Sequence, residues 1–334
     1  MKRRRAIDLM LGGVAGLAAG CAPDRESQMW TWRGVLFQSP VEVRVAEGPG
    51  LNGERLAERI VAAIRRAEQS FSLFEPDSEI RRLNREGRLE SPSEEFLTVL
   101  RWALELAERS DGVFDPTIQA RWRFLWENGG RKPSAAELGS LAALVDYRKV
   151  EAGRRRVRFS RPGMELTLNS VAQGFAADRV AGSLREAGVT RALVNMGEFV
   201  AIGGRSPRRP WMVKIRAGGA GGPIVAETEL ADHALAVSSG AGLRLGAGTG
   251  NHLLHPLGED VPADRVVTVK APLALTADGL STACALMDPP SAQALVASFP
   301  PASLRVWDGS AGATTASRTG RPDPPWAMGA LVGR

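Results

Sequence analysis

Residues 192–238 read ALVNMGEFVAIGGRSPRRPWMVKIRAGGAGGPIVAETELADHALAVS, and this stretch decides the fold class. Ala192–Asn195, Phe199–Ile202 and Trp211–Ile215 are short apolar or alternating runs divided by Gly, Pro and Arg, which marks them as strands. Val225–Leu230 and Ala234–Ser238 alternate like an antiparallel pair. Strands that follow one another directly leave no room for the helical crossovers of a doubly wound parallel sheet. A second run of short strands, Arg148–Glu151, Arg156–Phe159 and Met164–Leu168, repeats the pattern. The expected class is α+β, with mixed or antiparallel sheets flanked by helices.

The flanking helices are legible from their stripes and caps. Asn52–Ser72 places Leu56, Ile60, Ala63, Ile64 and Ala67 on one face. Pro76 breaks that helix and Ser78 can cap a short successor; Ser93–Ser110 is a long helix closed by Asp111-Gly112. Ser134–Val145 opens on a capping box of Ser134 and Glu137. A helix opens at Asn169 and runs to about Ala187, and Ala292–Phe299 is another. Val35–Val45 reads as one strand, Arg265–Val269 as another, and Ser303–Val306 as the last. Residues 22–29 read as a polar linker and 121–133 as a Trp-rich surface loop.

Composition bounds the setting. The chain has 334 residues, 44% hydrophobic and 24% charged, which is ordinary for a globular domain with a sizeable core. Half of the net charge of +6 comes from Lys2–Arg5 against Asp8, and no basic run interleaved with aromatics follows, so nucleic-acid binding is not expected. Residues 1–21 read as an export signal: a basic start, then Leu9–Ala19, too short and Gly-rich to span a bilayer. Consecutive arginines point to the twin-arginine route, with the general secretory route as the alternative. Leu17-Ala18-Ala19-Gly20-Cys21 is a candidate lipoprotein site, so membrane attachment is expected only through a lipid on Cys21, with simple cleavage left open. Cys284, in an apolar helical run, reads as a core residue, and no intramolecular disulfide is expected. The expected location is the periplasm. Residues 22–308 read as one domain and 309–334 as a Gly/Pro/Ser/Thr-rich tail of disordered composition.

The chemistry concentrates in Thr276-Ala277-Asp278-Gly279-Leu280-Ser281-Thr282, which reads as the first turns of a helix. Asp278 and Thr282 are four apart and share a face that Ser281 borders. One carboxylate and two hydroxyls are too few for a calcium cage but suit Mg²⁺, which completes its octahedron with water and phosphate oxygens. A plain helix-start role for Asp278 is the alternative. In Val113-Phe114-Asp115-Pro116-Thr117, Pro116 holds Asp115 out of the helical region, either as a functional carboxylate or as an Asx turn. A strand feeding the helix at Asn169 through small residues can receive an anion, although it lacks any phosphate-loop glycine pattern. Asn251-His252-Leu253-Leu254-His255-Pro256 brings two of the three histidines together without the further ligands that zinc needs.

In this order, these segments resemble the ApbE family of FAD:protein FMN transferases, over about Val35–Val306. Phe71–Asn84 resembles its "fS.f.p.SE...LN" segment, Val113–Thr117 its "FDPT", Leu166–Asp178 its "DL...aKGya.D", Asn251–Pro256 its "hhIiDP" and Ala277–Thr282 its metal-binding "ADalsT". This chain departs from the pattern at Thr167, where an acidic residue is usual, at Gln173 in place of Lys or Glu, at His255 in place of Asp, and in Asn195-Met196-Gly197-Glu198-Phe199 and Phe37-Gln38-Ser39. The Thr-Leu-Asn-Ser-Val-Ala-Gln-Gly wording and the Asn-Met-Gly-Glu segment are similar to the NosX-like branch, whose expected target is the membrane flavoprotein NosR.

The resemblance implies an ApbE-like (T-fold-like) architecture and transfer of FMN from FAD to a Thr hydroxyl of a target flavoprotein, with AMP released. By resemblance Mg²⁺ is held by Asp278, Thr282 and the Ser170 backbone carbonyl. Flavin and adenine contacts map to Phe37, Phe74, Val113, Phe114, Asp115, Thr167, Gln173, Leu254 and Ser281, although core packing explains Phe37 and Phe74 equally well. His252 and His255 are the candidates for taking the acceptor's proton, alongside Asp278 at the metal; His255 is favoured because it replaces a carboxylate, and a solvent-facing role is its alternative. A periplasmic FAD carrier without catalysis, which the uncharged Thr167 and Gln173 favour, and a Mg²⁺-dependent FAD pyrophosphatase are the competing functions.

Overall fold

The computed structural model describes residues 28–217, 222–240, 244–245, 250–251, 253–256, 262 and 264–307; His252, Cys21 and the tail at 309–334 lie outside them. The chain runs β1 (Met29–Leu36), β2 (Ser39–Ala46), α1 (Gly53–Phe71), α2 (Glu79–Glu86), β3 (Arg88–Glu90), α3 (Glu94–Arg109), α4 (Gln119–Glu127), α5 (Ala135–Ala142), β4 (Val150–Ala152) and β5 (Arg156–Phe159). It continues through α6 (Asn169–Glu186), β6 (Ala192–Asn195), β7 (Phe199–Ile202), β8 (Trp211–Arg216), β9 (Ile224–Leu230), β10 (Ala234–Ser239), β11 (Arg244–Leu245) and β12 (Gly250–Asn251). The last elements are β13 (Val266–Ala271), α7 (Ala274–Leu286), α8 (Pro289–Ala297) and β14 (Ser303–Trp307).

Seven strands form one sheet in the order β1-β2-β6-β7-β10-β13-β14, with every neighbouring pair antiparallel. One face carries Val41, Val43, Val45, Val194, Val200, Ala236, Val267 and Val269 into a core shared with α1, α3, α6 and α7. On the other face the β8–β9 hairpin covers the sheet with Trp211, Val213 and Leu230 packed on Ala201 and Leu235. The α+β expectation holds. Helix α6 is buried nearly all round its axis (Val171, Ala172, Gly174, Phe175, Ala176, Ala177, Val180), which explains why it shows almost no amphipathic stripe.

The caps fall where the sequence placed them: Asn52, Ser78 and Ser93 accept from the backbone of the turns they open, and Ser134 and Glu137 form a reciprocal capping box. The segment Phe71–Asn84 acts as a brace. Glu79 is buried and accepts from Ser70 Oγ, Ser93 Oγ and Ser93 N–H, tying α2 to the end of α1 and the start of α3. Asn84 grips Leu166 on both sides of its peptide unit, at 2.8 and 2.7 Å.

Several elements differ from the sequence reading. Val35–Val45 is a hairpin, because Phe37 and Gln38 both take positive φ (48° and 66°) and close a two-residue turn without the usual Asn-Gly. Strand β1 also claims Met29 from the expected linker. Met164–Leu168 forms no strand; Asn84 holds it as extended chain, and its one bridge runs from Glu165 to Ile118. The expected loop at 121–133 is helical to Glu127, and Gly129 and Gly130, at φ 61° and 82°, stop it. Strand β9 pairs with β8, while β10 pairs with β7 and β13, because alternation identifies a strand's faces and not its partner. Strand β3 is an addition.

The closest helix contact is between α6 and α7 at Gly174. A methyl group there would overlap the Ala274 carbonyl oxygen and come within 2.9 Å of Asp278 Cβ. Gly174→Ala is expected to cost about 1–3 kcal/mol or more, as overpacking does, and chemical denaturation should show the loss; an unchanged midpoint would mean that the helices can part freely.

Candidate functional site

Helix α7 has no side-chain cap of its own, since Leu273 occupies its N-cap position. The Asp178 carboxylate, reaching across from α6, accepts the Ala274 and Leu275 N–H groups at 2.9 Å each. These are orphan donors that a local Ser or Asp usually satisfies. Asp278 therefore sits a turn inside the helix and is not its cap. Gly174 N–H donates to Asp278 Oδ2 at 3.0 Å, so the α6 backbone fixes the carboxylate.

Asp278 and Thr282, one turn apart, line a cavity of about 710 Å³ together with Ser170, Thr167 and Gln173 of the α6 start. Phe114, Asp115 and Leu254 also line it. The volume lies in the range of small-molecule and cofactor clefts. Gln119 and Trp122 of α4, Phe199 of β7 and Lys214 and Arg216 of β8 complete a mixed aromatic and cationic wall. Ser281 faces elsewhere: its hydroxyl donates to the Asp278 carbonyl at 3.0 Å and lies 2.8 Å from Ser238 Oγ, so Ser238 is the donor in that pair. Ser281 ties α7 to β10 behind the cavity wall.

A second carboxyl, Glu198, stands in the same cavity and is buried. Val237 N–H donates to it at 3.3 Å, and among the described residues no cationic side chain pairs with it. Burial holds the Glu198 carboxyl well above the usual carboxylate range, and the Asp278 charge adds to the rise. Burial pushes Asp278 up as well, against the Gly174 N–H and with the Asp178 charge. The Asp278 charge makes ionisation of Glu198 harder, and a bound cation would offset that repulsion. A divalent metal fits what is present: the Asp278 carboxylate with a single protein donor, a hydroxyl at Thr282 and a carbonyl at Ser170, all oxygen ligands around one cavity. Among the described residues there is no group of three His, Cys, Asp or Glu that would suit a softer metal.

The other expected site residues divide. Asp115 borders the cavity, but its carboxylate is spent on its own turn: Thr117 N–H and Oγ1 donate to one oxygen at 2.8 and 2.6 Å, and Tyr147 N–H to the other at 3.0 Å. Burial raises its pKa and those bonds oppose the rise. Thr167 joins Pro116 through the backbone at 2.8 Å and accepts from Asn169 N–H. Phe37, in the β1–β2 turn, packs against the core, and Phe74 is half exposed; neither lines the cavity. Val113 and His255 line a neighbouring cavity of about 340 Å³, whose wall shares Asp115 with the first. The His255 carbonyl accepts from Arg121 at 2.7 Å and the residue is buried, so it does not face solvent. Glu198, Asp178, Trp122, Lys214 and Arg216 were not expected as site residues; the sequence signalled only Asp178, which closes the Leu166–Asp178 motif, and Glu198, in the departing Asn195–Phe199 segment.

A model of the ApbE family matches residues 37–304. The FAD:protein FMN transferase of Haemophilus influenzae is 26% identical over 303 residues, covering 82% of this chain and 86% of that protein. The one from Treponema pallidum is 26% identical over 287 residues, 77% and 78% of the two chains. Crystal structures of the Pseudomonas stutzeri flavinyl transferase ApbE in its apo form and of the Thermotoga maritima ApbE protein superpose with TM-scores of 0.71 and 0.72. Both are 25% identical and cover 84% of this chain, against 93% and 94% of their own.

Burial raises the Asp178 carboxyl to about 6, with its two bonds to α7 opposing the rise. The folded-state value lies above that of a free Asp, so the stability it contributes is fully present below pH ~4 and is lost as pH rises through about 6. Asp178→Asn should flatten that decline in thermal melts taken between those values. An identical slope in the variant would assign the decline to other groups.

Proposed function

The chain belongs to the ApbE family, and we propose that it is a Mg²⁺-dependent flavin transferase that moves the FMN portion of FAD onto a threonine hydroxyl of a partner flavoprotein. The observation that carries this is the convergence of Asp278, Thr282 and Ser170 on one cavity of about 710 Å³ that aromatic and cationic side chains also line. The names of the relatives support the same chemistry.

The reaction forms a bond from the acceptor Thr oxygen to the FMN-side phosphorus and breaks the pyrophosphate bond, so AMP leaves with the bridging oxygen and the hydroxyl proton goes to a base. Such transfers depend on positioning and charge neutralisation more than on covalent catalysis. Mg²⁺ bound by Asp278, Thr282 and the Ser170 carbonyl supplies Lewis-acid neutralisation of the pyrophosphate charge. The chain itself does the orienting. Gly174 N–H and the Asp178 cap hold Asp278 and its helix in place. Phe114, Phe199, Trp122 and Leu254 offer apolar faces to an aromatic ring system. Lys214 and Arg216 offer positive charge to phosphates. His255 opens on the neighbouring cavity, which leaves His252 as the candidate for taking the acceptor's proton. On its export signal the protein works in the periplasm, soluble or lipid-anchored at Cys21, and a membrane redox flavoprotein of the NosR kind is the target that the NosX-like wording favours.

Incubation of the purified protein with FAD, Mg²⁺ and the candidate target separates the functions. Covalent flavin fluorescence in the target supports the transferase; free FMN with AMP indicates a pyrophosphatase, and bound but unchanged FAD a carrier. Asp278→Ala should lose transfer by at least about a hundredfold, and His252→Ala by about 10²-fold, the usual worth of a metal ligand or a general base. Full labelling by Asp278→Ala would remove the metal assignment.

A further inference from the structure

We propose that Glu198 is a second carboxylate ligand of the metal centre beside Asp278, letting the protein hold the metal before FAD arrives. The inference rests on the metal reading above and extends it to a residue in which this chain departs from its family's wording.

The geometry is unusual for a Glu. Met196-Gly197-Glu198 is the tip of the β6–β7 hairpin, with Asn195 paired to Phe199 on either side. A glutamate at a hairpin tip normally projects into water. Here it is only 7% exposed and lines the cavity of Asp278. The tip is built to turn it inward. Asn195 Oδ1 accepts from Gly197 N–H at 3.1 Å, and Met196 N–H donates to the Glu198 carbonyl at 3.0 Å. Gly197 takes φ 103°, open in practice only to glycine, and a methyl group there would come within 2.8 Å of the Gln173 amide. Gln173 therefore lies directly over the glycine, and Glu198 Oε2 is met by the Val237 N–H of β10.

What the carboxylate finds there is not a protein partner. One backbone N–H reaches Oε2, and among the described residues no donor reaches Oε1. Glu198 Oε1 is not sealed from the cavity, so a cation bound there can reach it. Among the described residues Glu198 makes no ion pair; Arg216 bonds the Gly222 carbonyl at 2.7 Å and Lys214 lies 3.8 Å from Glu227. Mg²⁺ is held by one or two carboxylates with water and phosphate filling the remaining positions, so Asp278 with Glu198 makes a charge-neutral site that needs no nucleotide to form. With Asp278 alone, the cation would depend on FAD phosphates for half of its charge balance.

Mn²⁺ titration of the metal-stripped full chain, read by the EPR signal of free Mn²⁺, tests this in the absence of FAD. Wild type should bind one Mn²⁺, and Glu198→Gln, which keeps the volume and the bond to Val237, should bind at least about tenfold more weakly. Glu198→Asp keeps the charge on a shorter arm and should fall between them. The Mn²⁺-induced rise in melting temperature should shrink in the same order, while melting of the metal-free variants reports separately on folding. Equal Mn²⁺ affinity in wild type and Glu198→Gln would overturn the role of Glu198 and leave the Asp278 site standing. Failure of wild type to bind Mn²⁺ with or without FAD would overturn both.

Discussion

The reciprocal fastening of α6 and α7 is the constraint on which the rest of this structure depends. Gly174 lets the two backbones approach until its N–H reaches Asp278, and Asp178, one turn further along α6, closes the α7 N-terminus. Each helix supplies what the other lacks. Helix α7 begins with no polar cap of its own, and α6 at Gly174 has no room for a side chain. Because both carboxylates bond backbone N–H groups across the interface, a rotation of either helix would break the bonds that set Asp278. Asp278 is thus positioned by close packing of buried helices, where alternatives are few.

Around that pair the longer-range braces share one logic: a polar side chain from one motif satisfies backbone groups of another. Glu79 does so for the start of α3, Asn84 for Leu166, and Asp115 for Thr117 and Tyr147. Motif residues that look chemical on paper are in these cases architectural. Asp115 is the clearest example, since one of its oxygens accepts from Thr117 in its own turn and the other from Tyr147 N–H, although it borders the cavity. The Asx reading of that residue describes its bonds better than a direct contact with ligand does.

Local features were legible in the sequence and pairings were not. Caps at Asn52, Ser78, Ser93 and Ser134 depend on neighbours within a turn, so residue identity was enough to find them. The spacing of Asp278 and Thr282 likewise predicted a shared face, and both open on the same cavity. By contrast, the hairpin hidden at Phe37-Gln38 uses residues that seldom take positive φ, and the partner of β9 depends on chain segments far away in sequence. The separation of His255 from Asp278 is of the same kind. Spacing placed two histidines near each other, but only the packing of 113–117 against 253–256 decides which cavity each wall serves.

The uncharged residues at the α6 start take on a different meaning in three dimensions. Read along the chain, Thr167 and Gln173 look like lost charges. In the structure Thr167 steadies the turn into α6 through Asn169 N–H, and Gln173 packs on Gly197. That packing requires a neutral, flat side chain, because a carboxylate at 173 would stand against Glu198 and an ammonium would compete with a cation at Asp278. The change at 173 and the carboxylate at 198 are therefore complementary. The neutral Gln173 amide on α6 and the Glu198 carboxyl at the hairpin tip line the same cavity. With an amide at 173, α6 adds no second carboxylate beside Glu198 and Asp278.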